Sequence, residues 1–426
     1  MRYWLAVISG GLLILLSACN LGTSVPTQTT NTPSNRINEH VVVAWVDAGN
    51  LIVWQTGDTL PRRIASGGVV QPFVAPDGEH IVFTRGPQGR AETLWVIDAD
   101  GLAERELVGE RPARYVPGNN QVGDVAWLDE RTIYFNTLRQ EVPIYTPLND
   151  LYRMDILTRE QSLIAVPGEG GRIAISPDSD RVATVYHGTY GRQDGVLRLF
   201  DLFGRDDPTN LLFFVGVATG SEFRFYPDLH WLADGSAVLV AIPDPDLVYD
   251  GLEDVEVSET DLWRIPVSNP SQRQIIGTVP ASFFGLPRWS SDGTALTYLQ
   301  RVADSNQFTA FLAEGDGANP QAIFGAEAGE IAPPIWLPDS NRFYYTQPVA
   351  NNDSTAYYWL GAVNAEPQRL SDETIFDLQF ISATQYVYIT PGNRRLDLRV
   401  GEVEGESQFI GSLNTVPIFD AVAVRP

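Results

Sequence analysis

The sequence predicts an all-β fold, a β-propeller of four-stranded blades, most simply with eight blades closed into a ring. Three observations predict it: a short turn pattern that recurs seven times, a second apolar strand after almost every copy, and chain ends that are two complementary parts of one further unit. The copies are Val74-Ala75-Pro76-Asp77-Gly78, Trp127-Leu128-Asp129-Glu130, Ile175-Ser176-Pro177-Asp178, Trp231-Leu232-Ala233-Asp234-Gly235, Trp289-Ser290-Ser291-Asp292-Gly293, Trp336-Leu337-Pro338-Asp339-Ser340 and a degenerate Phe380-Ile381-Ser382-Ala383. Counting from the fourth residue of each, the spacings lie between 44 and 58 residues, the length of a four-stranded blade.

The turn pattern has a local cause. Proline presets φ, aspartate bonds backbone two residues on, and glycine tolerates positive φ, so each copy joins an incoming strand to an outgoing one. The next strand in the meander is Leu94-Trp95-Val96-Ile97, Leu151-Tyr152-Arg153-Met154, Leu197-Arg198-Leu199-Phe200, Leu262-Trp263-Arg264-Ile265 or Tyr358-Trp359-Leu360-Gly361. A polar turn such as Asp98-Ala99-Asp100-Gly101 then leads to a fourth strand. The amino-terminal part of the domain supplies three strands with no turn pattern before them (Val41–Trp45, Leu51–Trp54, Arg62–Ile64), and Val416–Ala423 supplies one. Pairing the two closes the ring and removes a free sheet edge. A seven-bladed ring with one weak repeat misread is the alternative. The recurrent Trp127, Trp231, Trp289, Trp336 and Phe380 read as wedges between blades, against a competing role as sugar-stacking platforms.

Three segments are expected: 1–19 as a lipoprotein signal, 20–40 as a flexible polar tether, and 41–426 as the propeller domain. Arg2, the apolar run from Leu5 to Leu16, and Leu16-Ser17-Ala18-Cys19 form a secretion signal too short to span a bilayer. Leu-Ser-Ala-Cys resembles the lipobox of bacterial lipoproteins, which implies lipidation of Cys19, the sole cysteine; a plain secreted protein cut nearby is the alternative. The resemblance implies a bacterial envelope protein outside the cytoplasm, held to the membrane by its lipid alone. The following stretch, Thr23-Ser24-Val25-Pro26-Thr27 and on to Ser34, is small, polar and punctuated by proline.

Charge and composition exclude several functions. The net charge of −24 repels nucleic acid and anionic headgroups. Every basic residue is arginine, which rules out a phosphate-loop lysine, a Schiff-base lysine and a Ser-Lys dyad. The four histidines show no zinc spacing, and no Gly-x-Ser-x-Gly elbow or Ser-His-Asp arrangement can be assembled.

The units, above all Val74 to Thr84 followed by Leu94 to Gly101, resemble the WD-repeat-like units of the TolB propeller family. The resemblance covers nearly all of 41–426 and implies a propeller that works through protein partners of the cell envelope. The α/β domain that precedes the propeller in TolB has no counterpart here. Similar propellers also precede the catalytic domain of prolyl-oligopeptidase-type proteases.

The longest connections lie between second and third strands (Leu138 to Asn149, His187 to Gly195, Pro243 to Thr260) and before some first strands (Gly109 to Gln121, Val215 to Tyr226). Both sets emerge on one side of a propeller, the expected recognition face. First strands line the channel with alternate residues. Six positions before each turn anchor stand Gln71, Asp124, Arg172, Asp228, Leu286, Pro333 and Asp377, with Asp420 equivalent on the closing strand; His230 and Arg288 stand four before. Gln71, Asp124, Arg172, Asp228, His230, Arg288, Asp377 and Asp420 are therefore the candidate binding residues of the channel mouth. One reading is a hydrated channel whose aspartates cap strand starts. The other is a site for a cation or a cationic group of a partner. The acids of the 244–261 loop fit no calcium motif and read as a solvated excursion, and His187, Tyr190 and Arg192 read as surface residues.

The expected function is a non-catalytic binding module for a protein, peptide or envelope polymer, with no resident cofactor. The alternative is a lyase or hydrolase using mouth carboxylates, with a divalent cation as its possible aid.

Overall fold

The computed structural model describes residues 40–109, 120–141, 144–188, 193–217, 225–244, 249–250, 254–255, 259–281, 285–302, 307–323, 333–338, 341–349 and 352–424. The segments expected as signal and tether, with Cys19, lie outside these residues, as do Tyr190 and Arg192.

Eight antiparallel sheets of at least four strands follow one another along the chain as blades 1 to 8. Blade 1 is built from both ends: His40–Asp47, Asn50–Gln55 and Arg62–Ala65, with Phe419–Val424 paired to the first of these in the register His40 to Val424 and Ala44 to Asp420. Blades 2 to 8 begin with Val69–Val74, Asn120–Trp127, Arg172–Ile175, Leu229–Trp231, Arg288–Trp289, Ile335–Trp336 and Asp377–Phe380. The eight-bladed reading holds over the seven-bladed alternative, and the closing strand starts at Phe419, three residues later than the sequence suggested.

Each blade shares its core with both neighbours. Along His40–Asp47, Val41, Val43 and Trp45 pack with Val387, Ile389 and Leu398 of blade 8, whereas Val42 and Ala44 pack with Ile81, Phe83 and Ile97 of blade 2. Alternation along a strand thus serves two apolar interfaces, which is why such strands read as continuous apolar runs. One major apolar cluster fills each of the eight blade interfaces.

The wedge residues act as expected, with a hydrogen bond in addition. The indole N–H of Trp127 donates to Phe73 O (3.3 Å), that of Trp231 to Ala174 O (3.3 Å) and that of Trp336 to Arg288 O (2.8 Å), each acceptor lying in the preceding blade. Trp289 departs from this rule and donates to Gly315 O (2.8 Å) within its own blade. The turns also behave as their residues dictate: Asp77, Asp234 and Asp292 each accept through Oδ1 the N–H two residues on, at 2.9, 2.9 and 3.0 Å. Burial alone would raise the Asp292 carboxyl, but donors from Thr294, Ser290 and Asn341 hold it down at about 2. In blade 3 the closing acid is Asp129, which takes the N–H groups of Arg131 (2.8 Å) and Thr132 (2.6 Å) and makes that turn one residue shorter; Glu130, aligned with the other anchors by sequence, is exposed.

Candidate functional site at the channel mouth

Every first strand runs from the mouth toward the anchor turns, so the residues near its start surround one end of the channel. Gln71, Asp124, Arg172, Asp228 and Asp377 are all exposed there, while the next residues Pro72 and Leu378 are buried and Val125, Ile173 and Leu229 half-buried. The described ends of the long connections lie at the same end. In blade 3 the second strand Thr132–Glu141 extends beyond the sheet to pair with Ile144–Pro147, and in blade 7 Arg342–Val349 and Asn352–Ala362 form one long hairpin.

Three of the predicted residues, from three successive blades, line one cavity of about 340 Å³: Asp124, Arg172 and Asp228, with Ile173, Ala174, Val185, Pro227 and Leu229 completing its wall. Asp124 is held by Asn136, which accepts its backbone N–H (2.7 Å), donates to its Oδ2 (3.1 Å) and donates also to Gly171 O (3.0 Å). The Arg172 guanidinium lies 5.0 Å from the centre of the Tyr226 ring, a cation–π contact. The Tyr226 hydroxyl donates to Asn149 Oδ1 (2.8 Å), and burial raises its pKa well above that of a free phenol. Behind it stand Tyr186 and His187, the latter buried and not the surface residue its loop suggested, with ring centroids 5.0 Å from Tyr226 to His187 and 4.8 Å from His187 to Tyr186. Sequence reasoning missed Asn136, Tyr226 and Asn149; their contacts cross from blade to blade, and no local pattern marks them.

Arg288 Nε stands 3.8 Å from Asp228 Oδ2, linking the cavity to blade 6. His230 is half-buried against that blade, its ring 6.4 Å from Trp289. Burial lowers its pKa against the opposing effect of the Ser290 and Ser291 carbonyls. Asp377 lies across the channel, apart from the cavity. Water reaches it, but protein crowds it on several sides and raises its carboxyl; among the described residues its hydrogen bond comes from the Leu378 N–H (2.8 Å).

Asp420 is engaged at the ring closure. Its Oδ2 accepts the Val74 N–H of blade 2 (2.7 Å) and its Oδ1 the Gln379 amide of blade 8 (3.2 Å), so one carboxylate ties three blades together; burial raises its pKa. At the opposite end of a first strand, Asp77, Glu79 and His80 gather donor atoms within 4.8 Å of one another, with His80 Nε2 also 3.7 Å from Asp98. That group belongs to the turn of blade 2, as the Asp77 bond to the Glu79 N–H shows.

No protein-family description matches the sequence, and no curated protein matches it. Solved structures do resemble the fold. A dihydro-heme d1 dehydrogenase, NirN, solved in complex with DHE, matches with a TM-score of 0.53 at 13% identity over 92% of this chain and 77% of the other. A eukaryotic initiation factor structure matches with a TM-score of 0.52 at 9% identity over 91% of this chain and 100% of the other. A prolyl endopeptidase matches with a TM-score of 0.51 at 13% identity over 83% of this chain but only 50% of its own. At such identities the likeness concerns fold alone.

Proposed function

We propose that this protein is an extracytoplasmic binding module, anchored to a bacterial envelope membrane through Cys19, that takes a protein, peptide or envelope polymer at its channel mouth. The observation that carries this reading is the cavity in which Asp124, Arg172 and Asp228 converge from three successive blades. Filling such a channel needs no charge; exposed acids and an arginine facing one cavity are the chemistry of recognition, able to take a ligand that offers both hydrogen-bond donors and acceptors. The long hairpins of blades 3 and 7 rise at the same end and widen the surface available to a macromolecule. The Leu16-Ser17-Ala18-Cys19 sequence supports the anchor, and the TolB-like repeat units support a role in the envelope.

The test is affinity purification of the full chain from its native membranes with identification of what copurifies, beside an Asp124→Ala, Asp228→Ala double variant. A partner held by the wild type and lost by the variant is expected. A partner retained equally by both refutes the mouth as the site, and turnover of a copurifying polymer that these substitutions abolish refutes the non-catalytic reading in favour of a lyase or hydrolase.

A further inference from the structure

In the mouth cavity of blades 3 to 5, opposite charges line one space and do not pair across it. Its charged side chains are Asp124, Arg172 and Asp228, and the other side chains of its wall are apolar. Asp228 has Arg288 at its side, with Nε 3.8 Å from Oδ2. Asp124 and Arg172 have no such companion: among the described residues, Arg172 makes no ion pair with either acid, and none of its five N–H donors meets a hydrogen-bond acceptor.

Neutral groups hold both charges in place, and those groups are backed from inside the protein. Asn136 is 7% exposed; it accepts the Asp124 N–H (2.7 Å), donates to Asp124 Oδ2 (3.1 Å) and donates to O of Gly171 (3.0 Å), the residue before Arg172. One buried amide therefore fixes the Asp124 carboxylate against the start of the Arg172 strand, and Asp124 Oδ1 is left without a partner among the described residues. On the other side, the Arg172 guanidinium lies 5.0 Å from the centre of the Tyr226 ring, whose hydroxyl is tied at 2.8 Å to Asn149, itself 5% exposed. Opposite charges that were free to move would close on each other. Held apart on a buried polar frame, they are arranged for a ligand that carries the complementary pair.

The charge balance narrows that ligand. A lone cation answers Asp124 and is opposed by Arg172; a lone anion answers Arg172 and is opposed by Asp124. A zwitterion answers both, with its ammonium on the free Asp124 oxygen and its carboxylate on the guanidinium fork. At about 340 Å³ the cavity is at the small end of ligand sites, the size for a small molecule or a short chain. We infer that the cavity is a receptor for a zwitterionic ligand, an amino acid or short peptide whose ammonium and carboxylate are both free, with Asp124 and Arg172 taking one charge each. This rests on the reading of the mouth cavity as the recognition site and names the chemistry of its ligand.

The test is calorimetric titration of the full chain with four achiral probes: glycine, glycylglycine, N-acetylglycylglycine, which lacks the ammonium, and glycylglycinamide, which lacks the carboxylate. Saturable binding of glycine or glycylglycine is expected, with each blocked probe weaker than glycylglycine by about tenfold or more. Tighter binding of glycine identifies an amino acid as the source, and tighter binding of glycylglycine a short peptide. In Arg172→Gln, glycylglycine should bind no better than glycylglycinamide, and in Asp124→Asn no better than N-acetylglycylglycine. Blocked probes that bind the wild type as tightly as glycylglycine, retention of full affinity by both variants, or no saturable binding of either zwitterion each overturns the proposal. The two readings fail separately. A macromolecular partner lost by the Asp124→Ala, Asp228→Ala variant, beside zwitterions that do not bind, keeps the mouth as a site and removes this ligand; zwitterions bound through Arg172, beside no copurifying partner, do the reverse.

Discussion

Replacing Asp420 by alanine should loosen the ring at the point where its two ends meet. The substitution removes the acceptor of the Val74 N–H and one of two acceptors of the Gln379 amide, the other being Ala421 O at 3.3 Å. Val74 is 5% exposed, so its N–H loses its partner where water cannot readily replace it. Leaving one buried donor unpaired costs about 1–3 kcal/mol, and the weaker Gln379 bond adds less than about 1 kcal/mol. Relief of the buried charge offsets part of this, placing the net loss for Asp420→Ala at about 1–3 kcal/mol. Asp420→Asn keeps an acceptor for Val74 and should cost about half as much.

The pH dependence has a definite sign. Burial raises the folded-state pKa of Asp420 above its unfolded value of 3.8. A group raised in this way contributes stability that is fully present below the unfolded value and is lost as pH rises through the folded one. The advantage of the wild type over Asp420→Asn should therefore grow as the solution is acidified from neutral. Urea unfolding at neutral and mildly acidic pH, with hydrogen exchange read at the Val74 amide, measures both effects. Equal midpoints for wild type and Asp420→Ala, together with unchanged protection of Val74, would refute the assignment of Asp420 as the clasp.

Trp336→Phe keeps the aromatic wedge but deletes its bond to Arg288 O, and should lower the urea-unfolding free energy by about 0.5–1.5 kcal/mol. Thr137→Val removes the hydroxyl that donates to fully buried Asp150 Oδ2 (2.5 Å) while the Thr137 backbone bond (2.7 Å) stays, at a cost of about 1–3 kcal/mol. Burial already raises the Asp150 carboxyl, and losing a bond that lowers it raises it further, so this cost should be larger at neutral than at acidic pH in the same assay. Gly78→Ala meets two obstacles, a φ of +71° and a Cβ that would stand 2.8 Å from Cγ2 of both Val42 and Val424; thermal unfolding should show a loss of more than about 1 kcal/mol.

What could be read from residues alone was what is decided within a few positions of the chain. The Pro-Asp-Gly turns, the wedge tryptophans and the exposed alternate residues of first strands all follow from local chemistry or strand period. Even so, the blade 3 turn closes on Asp129 rather than its aligned neighbour, because a one-residue shorter loop aims a different side chain at the free N–H groups. The candidate site was legible as a set of charges and illegible as a set of partners. Asn136 reaching Gly171, Tyr226 reaching Asn149, and Asp420 reaching both Val74 and Gln379 all depend on which blade stands next to which and at what angle. His230 shows the same limit: its position in the repeat matches Arg288, yet its shorter ring lies against blade 6 while Arg288 reaches Asp228.

The register of the closing seam also sets an orientation. The closing strand begins beside the mouth at Phe419 and Asp420 and ends at Val424, whose partner across the seam is His40. The chain thus enters the ring at the end of the channel that faces away from Asp124, Arg172 and Asp228. If Cys19 carries the proposed lipid, the connection to the membrane would lead off from the end of the ring opposite those residues. That placement would leave the entrance clear for the proposed partner, at a reach set by the length of the intervening chain.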